Sequence, residues 1–274
     1  MSNEQIAIIG GGNLGSAIAR GLVAAGAASA DAITITRRSE PPLGPFRAEG
    51  FHTTTDNAAA VADANVVLIA VRPKQINAVL DAIAPVVDAA RHTVISTATD
   101  VRIADIRDHL ADGVPVIRAM PNIGVAVGES MTCLACENCA TEASKQVAVS
   151  LFATLGRTQY IGEDQMTPAT ALCACGIAFF LRAIRAASQG GVQVGFHADE
   201  AIRLAAQTAK GAAELILAKD SHPESLIDTV TTPLGVTIAG LNEMEHQGFS
   251  SALIRGIVTS AEKAQRLYKQ EAEQ

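Results

Sequence analysis

Gly10, Gly12 and Gly15, in the stretch IAIIGGGNLGSAIARGL, stand in G-x-G-x-x-G spacing after a short apolar run and before a helical pattern. In that context the spacing can hold a dinucleotide pyrophosphate. Gly10 permits the tight turn, Gly12 lets the phosphates approach the backbone, and Gly15 lets the helix pack closely on the strand. The N–H groups at the helix start, Asn13 and Leu14 included, then face the phosphates. About twenty residues after Gly15 an acidic side chain would meet the ribose hydroxyls of NAD. Here the chain reads Thr36, Arg37, Arg38 and Ser39, with Glu40 too late and in a turn. Two guanidiniums suit a 2′-phosphate, because Arg pairs well with phosphate oxygens. NADP(H) is expected in preference to NAD(H).

Other segments end where ligands bind. IAVRPKQI closes a central strand, so Val71, Arg72 and Pro73 fall at the carboxyl end of a parallel sheet, the side on which such sheets take ligands. Pro73 lacks an N–H and can open the following helix. VIRAMPN ends another strand in the same way, which makes Met120, Pro121 and Asn122 candidates for the nicotinamide end of the crevice. Near the C-terminus, TVTTPLGVTIAGL sets hydroxyls, a proline and a glycine before a helix that starts at Val236. Backbone donors around Gly235–Thr237 would face an anion ahead of that helix. No His is spaced with a carboxylate as a general acid would be; His197, His222 and His246 fall at helix ends and read as surface residues. Cys133, Cys136 and Cys139 have CxxCxxC spacing, and Cys173 and Cys175 complete the five cysteines. Three such thiolates could hold zinc or iron–sulfur. A fourth local ligand followed by Pro is missing, however, and Cys133 and Cys173 sit in apolar settings, so free thiols and no metal are expected.

The elements that must position these residues follow from the patterning. Strands are expected at Ile6–Gly10, Ala32–Thr36, Asn65–Val71, Thr93–Ala98 and Val114–Asn122, with an edge strand at Gly128–Cys136. Helices fall between them, at Leu14–Gly26, Lys74–Val87 and Lys145–Gly156. Apolar strands alternating with helices mean a parallel sheet covered on both faces. After Ile161–Gln165 only helices are expected: Met166–Gln189, Ala198–Lys219, Val236–Gln247 and Ser250–Lys269. The chain of 274 residues thus divides into residues 1–163, a Rossmann-type doubly wound α/β domain, and residues 164–274, an all-α dimerisation and substrate domain. The first two of those helices are apolar around most of their circumference, which calls for a second subunit. Net charge −7 argues against a nucleic-acid surface. No apolar run of membrane length and no signal peptide is read, so a cytoplasmic protein without membrane contact is expected. With 3% aromatic residues and no Trp, the core is built from small side chains.

Taken in order, IGGGNLGSAI, AVRPKQ, RAMPN, VGESMT, AAQTAKGAAELI and DTVTTPLGVTIAGLNEME resemble the pyrroline-5-carboxylate reductases over nearly the whole chain. The resemblance implies a homodimer, with dimers assembling further, and hydride transfer from NADPH to the C=N bond of a cyclic imine. The most direct reading is 1-pyrroline-5-carboxylate to proline, the last step of proline synthesis. By matched position it implies that Gly10–Gly15 hold the pyrophosphate, Arg37 and Arg38 the 2′-phosphate, and Asn57 the adenosine ribose region. Ala70, Val71, Arg72 and Pro73 would border the middle of the cofactor, with Met120, Pro121 and Asn122 near the nicotinamide. Thr232, Pro233, Leu234, Gly235, Val236 and Thr237 would form the substrate loop, with Thr237 hydrogen-bonded to the ring nitrogen. Departures gather at the substrate end. Ile123-Gly124 replace Thr-Pro, Thr99-Asp100 replace Ala-Gly, and Leu234 replaces Gly. In ALCACGIAFFL, Cys173, Ala174, Cys175, Ile177 and Phe179 replace Ser, Gly, Ser, Pro and Tyr, which puts Cys175 and Ile177 against the substrate. Two alternatives follow: a family imine reductase with a different cyclic imine, or a protein that binds NADPH without catalysis. A 3-hydroxyacid dehydrogenase is disfavoured, since no Lys lies between Met166 and Gln189.

Overall fold

A computed structural model describes residues 4–137, 141–219 and 221–265. The chain divides into two compact units, one holding the residues up to Cys175 together with the chain from Ser260, the other Gly176–Thr259.

The first unit is built on β1 (Ile6–Ile9), β2 (Ile33–Thr36), β3 (His52–Thr54), β4 (Val66–Ile69), β5 (Thr93–Ser96), β6 (Val116–Met120), β7 (Ser130–Cys136) and β8 (Gly156–Tyr160). Its helices are α1 (Asn13–Ala24), α2 (Gly44–Ala48), α3 (Asn57–Ala62), α4 (Ile76–Ile83), α5 (Ile103–Arg107), α6 (Glu142–Ala153) and α7 (Met166–Ala169). The strands form one sheet in the order β3-β2-β1-β4-β5-β6-β7-β8. From β1 the chain winds outward through β2 and β3, then returns to β4 on the other side of β1. The switch point therefore lies between β1 and β4, where a doubly wound sheet opens a crevice at its carboxyl edge.

Side-chain alternation along β1 explains the two covered faces. Ile6 and Ile8 pack with Leu22 of α1 and Leu151 and Phe152 of α6. Ala7 and Ile9 pack with Ile76 and Leu80 of α4 and Ile103 of α5. A period of two sends successive residues to opposite layers. Buried on both sides, β1 and β4 are apolar without interruption. On the outer side of α1, Arg20 forks onto Glu49 through two 2.7 Å hydrogen bonds. That hydrogen bond, helped by the guanidinium charge, holds the Glu49 carboxyl below its ordinary range.

The sheet departs from expectation at one end. β7 is antiparallel to β6 and lies inside the sheet, because β8 pairs with it in parallel. Neither β3 nor β8 is apparent from patterning. β8 reads GRTQY, none of its residues is fully buried, and β3 has only three residues. Gly156 makes the β7–β8 pairing possible: at φ +143° a Cβ would stand 2.1 Å from the Ser130 carbonyl oxygen.

The helix expected from Met166 is interrupted. α7 passes into a π turn at Thr170–Cys175 before α8 (Gly176–Gln193) begins. Taken with its 3-10 and π turns, the helical stretch Glu163–Gln193 is long and apolar enough, by length and composition, to cross a membrane, where the sequence reading found no apolar run of that length. In the second unit α8 is followed by α9 (Ala198–Lys219), α10 (Pro223–Thr229), α11 (Val236–His246) and α12 (Phe249–Ala264), whose last residues belong to the first unit. α10 was not expected from the sequence. Gly195, at φ +113°, ends α8 with the Phe196 N–H donating to the Gly191 carbonyl. Gly191 lets α9 approach, since a Cβ there would meet that of Ala201 at 3.1 Å. These helices leave Phe180, Leu181, Leu204, Leu215, Ile254 and Val258 exposed. That much uncovered apolar surface marks an interaction face.

Candidate functional site

A cavity of about 570 Å3 opens at the carboxyl ends of β1, β2 and β4. Its floor is the turn after β1. The Gly11 N–H donates to the Thr36 carbonyl at 2.9 Å and the Gly12 N–H to the Gly10 carbonyl at 2.8 Å, which folds the backbone back on itself. Gly10 holds φ +105°, and a Cβ on it would lie 2.6 Å from the Ala70 carbonyl oxygen of the neighbouring strand end. A Cβ on Gly15 would stand 2.2 Å from the Gly10 oxygen. Gly12 differs from both. Nothing lies within 4 Å of where its Cβ would be, so its backbone faces open space.

Gly12 caps α1 without any side-chain hydrogen bond, and no acidic residue lies in the first turn. The first N–H groups of a helix lack partners inside it. The positive end of the helix dipole thus points out of α1 with no side chain to neutralise it, a setting that favours a bound anion.

The wall beyond β2 carries the cations. Arg37 is half-buried and Arg38 exposed, and both line the cavity. Glu40 cannot neutralise them, because it is engaged by Arg47. Among the described residues neither Arg37 nor Arg38 is paired with a carboxylate. Thr36 is buried and donates to the Asn57 side-chain oxygen at 2.7 Å. Asn57 opens α3, whose N-terminus is capped by Asp56 accepting from the Ala59 N–H at 3.1 Å. Cap and threonine together fix Asn57 at the rim.

The opposite wall comes from β4 and the turn after it. The Ala70 N–H donates to the Ile9 carbonyl, which binds this strand end to the floor. Ala70, Val71 and Arg72 line the cavity, and the Arg72 N–H donates to the Gln75 side-chain oxygen at 3.3 Å. Pro73 begins the short turn Pro73–Gln75 that leads into α4. Lys74, Gln75 and Thr55 also line the cavity, beyond the residues that the sequence motifs mark. Lys74 carries a visible signal, a third cation directly after Arg72-Pro73. Thr55 carries none, because it follows a strand the patterning does not show.

Met120, Pro121 and Asn122 do not border this cavity. Met120 packs with Cys133, Ala135, Met166 and Ala169, and Pro121 is buried. Asn122 spends its side chain on structure: its amide donates to the Cys173 carbonyl at 3.1 Å and its oxygen accepts from the Gly124 N–H at 2.8 Å. It thereby ties the end of β6 to the π turn. Nearby, buried Arg118 donates to Glu163 at 3.1 Å, and the same carboxylate oxygen accepts from the Ile103 N–H at 2.7 Å. One carboxylate therefore joins β6, the start of α5 and the approach to α7.

In the second unit, the segment before α11 forms a tight turn in which the Gly235 N–H donates to the Thr232 carbonyl at 2.9 Å. Leu234 adopts φ +60°, the left-handed region, with its side chain fully exposed. Pro233, Val236 and Thr237 are exposed as well, and Gly235 caps α11. A Cβ at Gly235 would lie 2.4 Å from the Thr232 hydroxyl oxygen, so this glycine is needed where it stands. Asp100, the other non-glycine at a family glycine position, is also left-handed at φ +64°. Both substitutions keep the backbone that glycine would adopt. Cys175 and Ile177 are half-buried on either side of the junction between the π turn and α8.

The cysteine spacing has a structural reading. Cys133 and Cys136 both lie on β7, three residues apart, and so point to opposite faces of the sheet. Cys136 packs with the layer under α1 and α6, while Cys133 packs with Met120 and Met166. They do not face one ion. Cys139 lies outside the described residues.

Comparison with known proteins gives this arrangement a family. Residues 163–267 match the family model "Pyrroline-5-carboxylate reductase dimerisation", and residues 5–100 match "NADP oxidoreductase coenzyme F420-dependent". The chain is 50% identical to pyrroline-5-carboxylate reductase 1 of Dictyostelium discoideum over 98% of its own length, and it spans half of that longer protein. It is 45% identical to pyrroline-5-carboxylate reductase 2 of the same organism, covering 97% of this chain and 93% of that one. Among solved structures, a pyrroline carboxylate reductase of Plasmodium falciparum with NADP bound superposes with a TM-score of 0.88 at 23% identity, over 98% of this chain and 99% of that one, a likeness of fold. With these matches running through both units, the chain belongs to the pyrroline-5-carboxylate reductase family.

Proposed function

We propose that the protein reduces the C=N bond of 1-pyrroline-5-carboxylate to give proline, with NADPH as reductant. The observation that carries the cofactor half is the open backbone at Gly12 beside two arginines without acidic partners. A dinucleotide diphosphate needs backbone donors it can approach closely and cations for its charge, and this cavity supplies both. When bound, NADPH supplies a hydride. The residues of the chain bind and orient: the N–H groups of Asn13 and Leu14 hold the pyrophosphate, which approaches over the open backbone at Gly12, with Gly15 keeping α1 tight on β1. Arg37 and Arg38 hold the 2′-phosphate, Asn57 the adenosine ribose, and Ala70 to Pro73 the middle of the cofactor. Met120, Pro121 and Asn122 shape the nicotinamide end from behind, by fixing the end of β6.

We assign residues 1–163 to cofactor binding and 164–274 to dimerisation and substrate. The substrate loop Thr232–Thr237 presents backbone donors at the start of α11 to the substrate carboxylate, and Thr237 holds the ring nitrogen. Cys175 and Ile177 border the imine. A protonated cyclic iminium is already electrophilic, so orientation and exclusion of water count for more than a strong acid. The exposed apolar residues of α8, α9 and α12 support a homodimer, which we extend to a cytoplasmic assembly of dimers.

Leu234, together with Cys173 and Cys175 in place of serines, favours a second reading: the same chemistry on a less polar cyclic imine. NADPH oxidation with 1-pyrroline-5-carboxylate, the same ring without the carboxylate, and a six-membered cyclic imine separates the two. Fastest turnover of 1-pyrroline-5-carboxylate is expected. Turnover confined to imines without the carboxylate would replace this reading with the second, and turnover of none would leave an NADPH-binding protein.

A further inference from the structure

Cys133 and Cys173 come from segments 40 residues apart, and their sulfurs are 3.9 Å from one another. Neither lines the cofactor cavity, and Cys173 stands two residues before Cys175, which is assigned to the substrate. Cys133 is 5% exposed in the middle of β7, with Met120, Ala135 and Met166 around it. Cys173 is half-buried on the Thr170–Cys175 turn, packed against the same cluster. The other two thiols among the described residues are turned elsewhere. Cys136 is on the opposite face of β7, and Cys175, two residues along a helical turn from Cys173, does not share its direction. A disulfide has an S–S length of about 2.05 Å, so closure requires the two sulfurs to approach by roughly 1.9 Å. Rotation about χ1 in two side chains covers movements of that size.

We propose that Cys133 and Cys173 are a reversible dithiol–disulfide pair, closed by hydrogen peroxide and opened by a small thiol reductant, whose closed form fixes the Thr170–Cys175 turn to β7. Cys173 is the attacking sulfur. The hydrogen bond with Cys133 lowers its pKa to about 7 against the opposing effect of burial. The same hydrogen bond, together with burial, pushes Cys133 well above the ordinary thiol range. The Cys173 thiolate attacks one peroxide oxygen; an S–O bond forms, the O–O bond breaks, and the departing hydroxide takes a proton to become water. The Cys133 thiol then gives up its proton and attacks the oxidised sulfur. An S–S bond forms, the S–O bond breaks, and the hydroxyl leaves with that proton as a second water. Two thiols thus lose two electrons and reduce one peroxide to two waters, and two equivalents of thiol reductant reverse the change. Asn122 already grips the Cys173 carbonyl. The disulfide adds a covalent tie from the same residue to the neighbouring strand.

The test uses the full-length wild-type chain, reduced and then treated with a small excess of hydrogen peroxide. Free thiols are blocked by alkylation, and the peptides are mapped by mass spectrometry without reduction. The expected result is a Cys133–Cys173 cross-linked peptide that disappears with dithiothreitol and does not form in Cys173→Ser. Amides of Thr170–Cys175 are expected to exchange with deuterium about tenfold more slowly in the oxidised protein. Cross-linking of Cys173 to Cys136, Cys139 or Cys175 would overturn the proposal. So would sulfinic acid at Cys173 with Cys133 still alkylatable, or exchange rates that oxidation leaves unchanged. None of these readouts depends on reductase activity.

Discussion

Substituting Gly12→Ala separates the binding role of the glycine turn from its structural role. Gly12 has φ −77° and ψ −164°, an extended conformation open to any residue. No atom lies within 4 Å of the position an added Cβ would take, so the methyl meets no clash inside the protein. Losing the backbone entropy of glycine in the unfolded chain favours the variant by about 0.4–1 kcal/mol where the native conformation is compatible. The melting temperature should therefore stay level or rise by a few degrees, since about 1 kcal/mol is worth roughly 2–4 °C in a chain of 150–250 residues. Binding should behave differently. The methyl occupies the space through which a pyrophosphate oxygen would reach the helix-start N–H groups. A hydrogen bond to a charged group contributes about 1.5–3 kcal/mol, so losing one weakens binding by roughly 10- to 150-fold. Intrinsic or competitive fluorescence titration with NADPH, beside a thermal melt of the same sample, measures both quantities. Gly10→Ala is the control: at φ +105°, with a Cβ 2.6 Å from a backbone oxygen, it should unfold at lower temperature. If Gly12→Ala bound NADPH as tightly as the wild type, the phosphates would not approach this backbone, and the cavity would not be the cofactor site.

Two further outcomes follow from the same geometry. Arg37→Gln combined with Arg38→Gln should raise the Kd for NADPH by about tenfold or more, the loss of at least one charge-assisted contact, while NADH binding changes little; equal losses for both dinucleotides in parallel titrations would refute a 2′-phosphate site. Leu234→Gly removes a left-handed strain of about 1–2 kcal/mol against a glycine entropy cost of about 0.5–1 kcal/mol. The side chain is fully exposed, so no packing is lost and the melting temperature should hold or rise slightly; a clear fall would mean that Leu234 is buried by a partner subunit.

The glycine turn is legible in the sequence because each glycine answers a backbone requirement that spacing encodes. Gly10 abuts Ala70, Gly15 abuts Gly10, and Gly12 faces open space. Strands buried on both faces are legible for a similar reason, since nothing but an apolar run can fill them. β8 is not, because GRTQY finds its place through pairing with β7 and through the one residue, Gly156, that allows close approach to Ser130. From its place after a strand, Asn122 reads as a residue of the cofactor crevice. Its contact with the Cys173 carbonyl joins residues 51 positions apart and depends on a π turn that no periodicity announces.

Asp100 and Leu234 are departures from the family pattern that fall at left-handed backbone positions. Each replaces a glycine of the family pattern, and a change of residue at a left-handed position would ordinarily signal a change of backbone. Yet Asp100 holds φ +64° and Leu234 holds φ +60°, so the path of both loops is that of a glycine. The Leu234 turn still closes through the Gly235 N–H and the Thr232 carbonyl, and Gly235 still caps α11. The helix-start donors therefore keep their direction, and what the substitution adds is an apolar side chain at the tip of the loop. On the proposed role of this loop, a difference in substrate would arise from the shape and polarity of leucine, because the turn that presents the α11 donors closes in spite of the side chain.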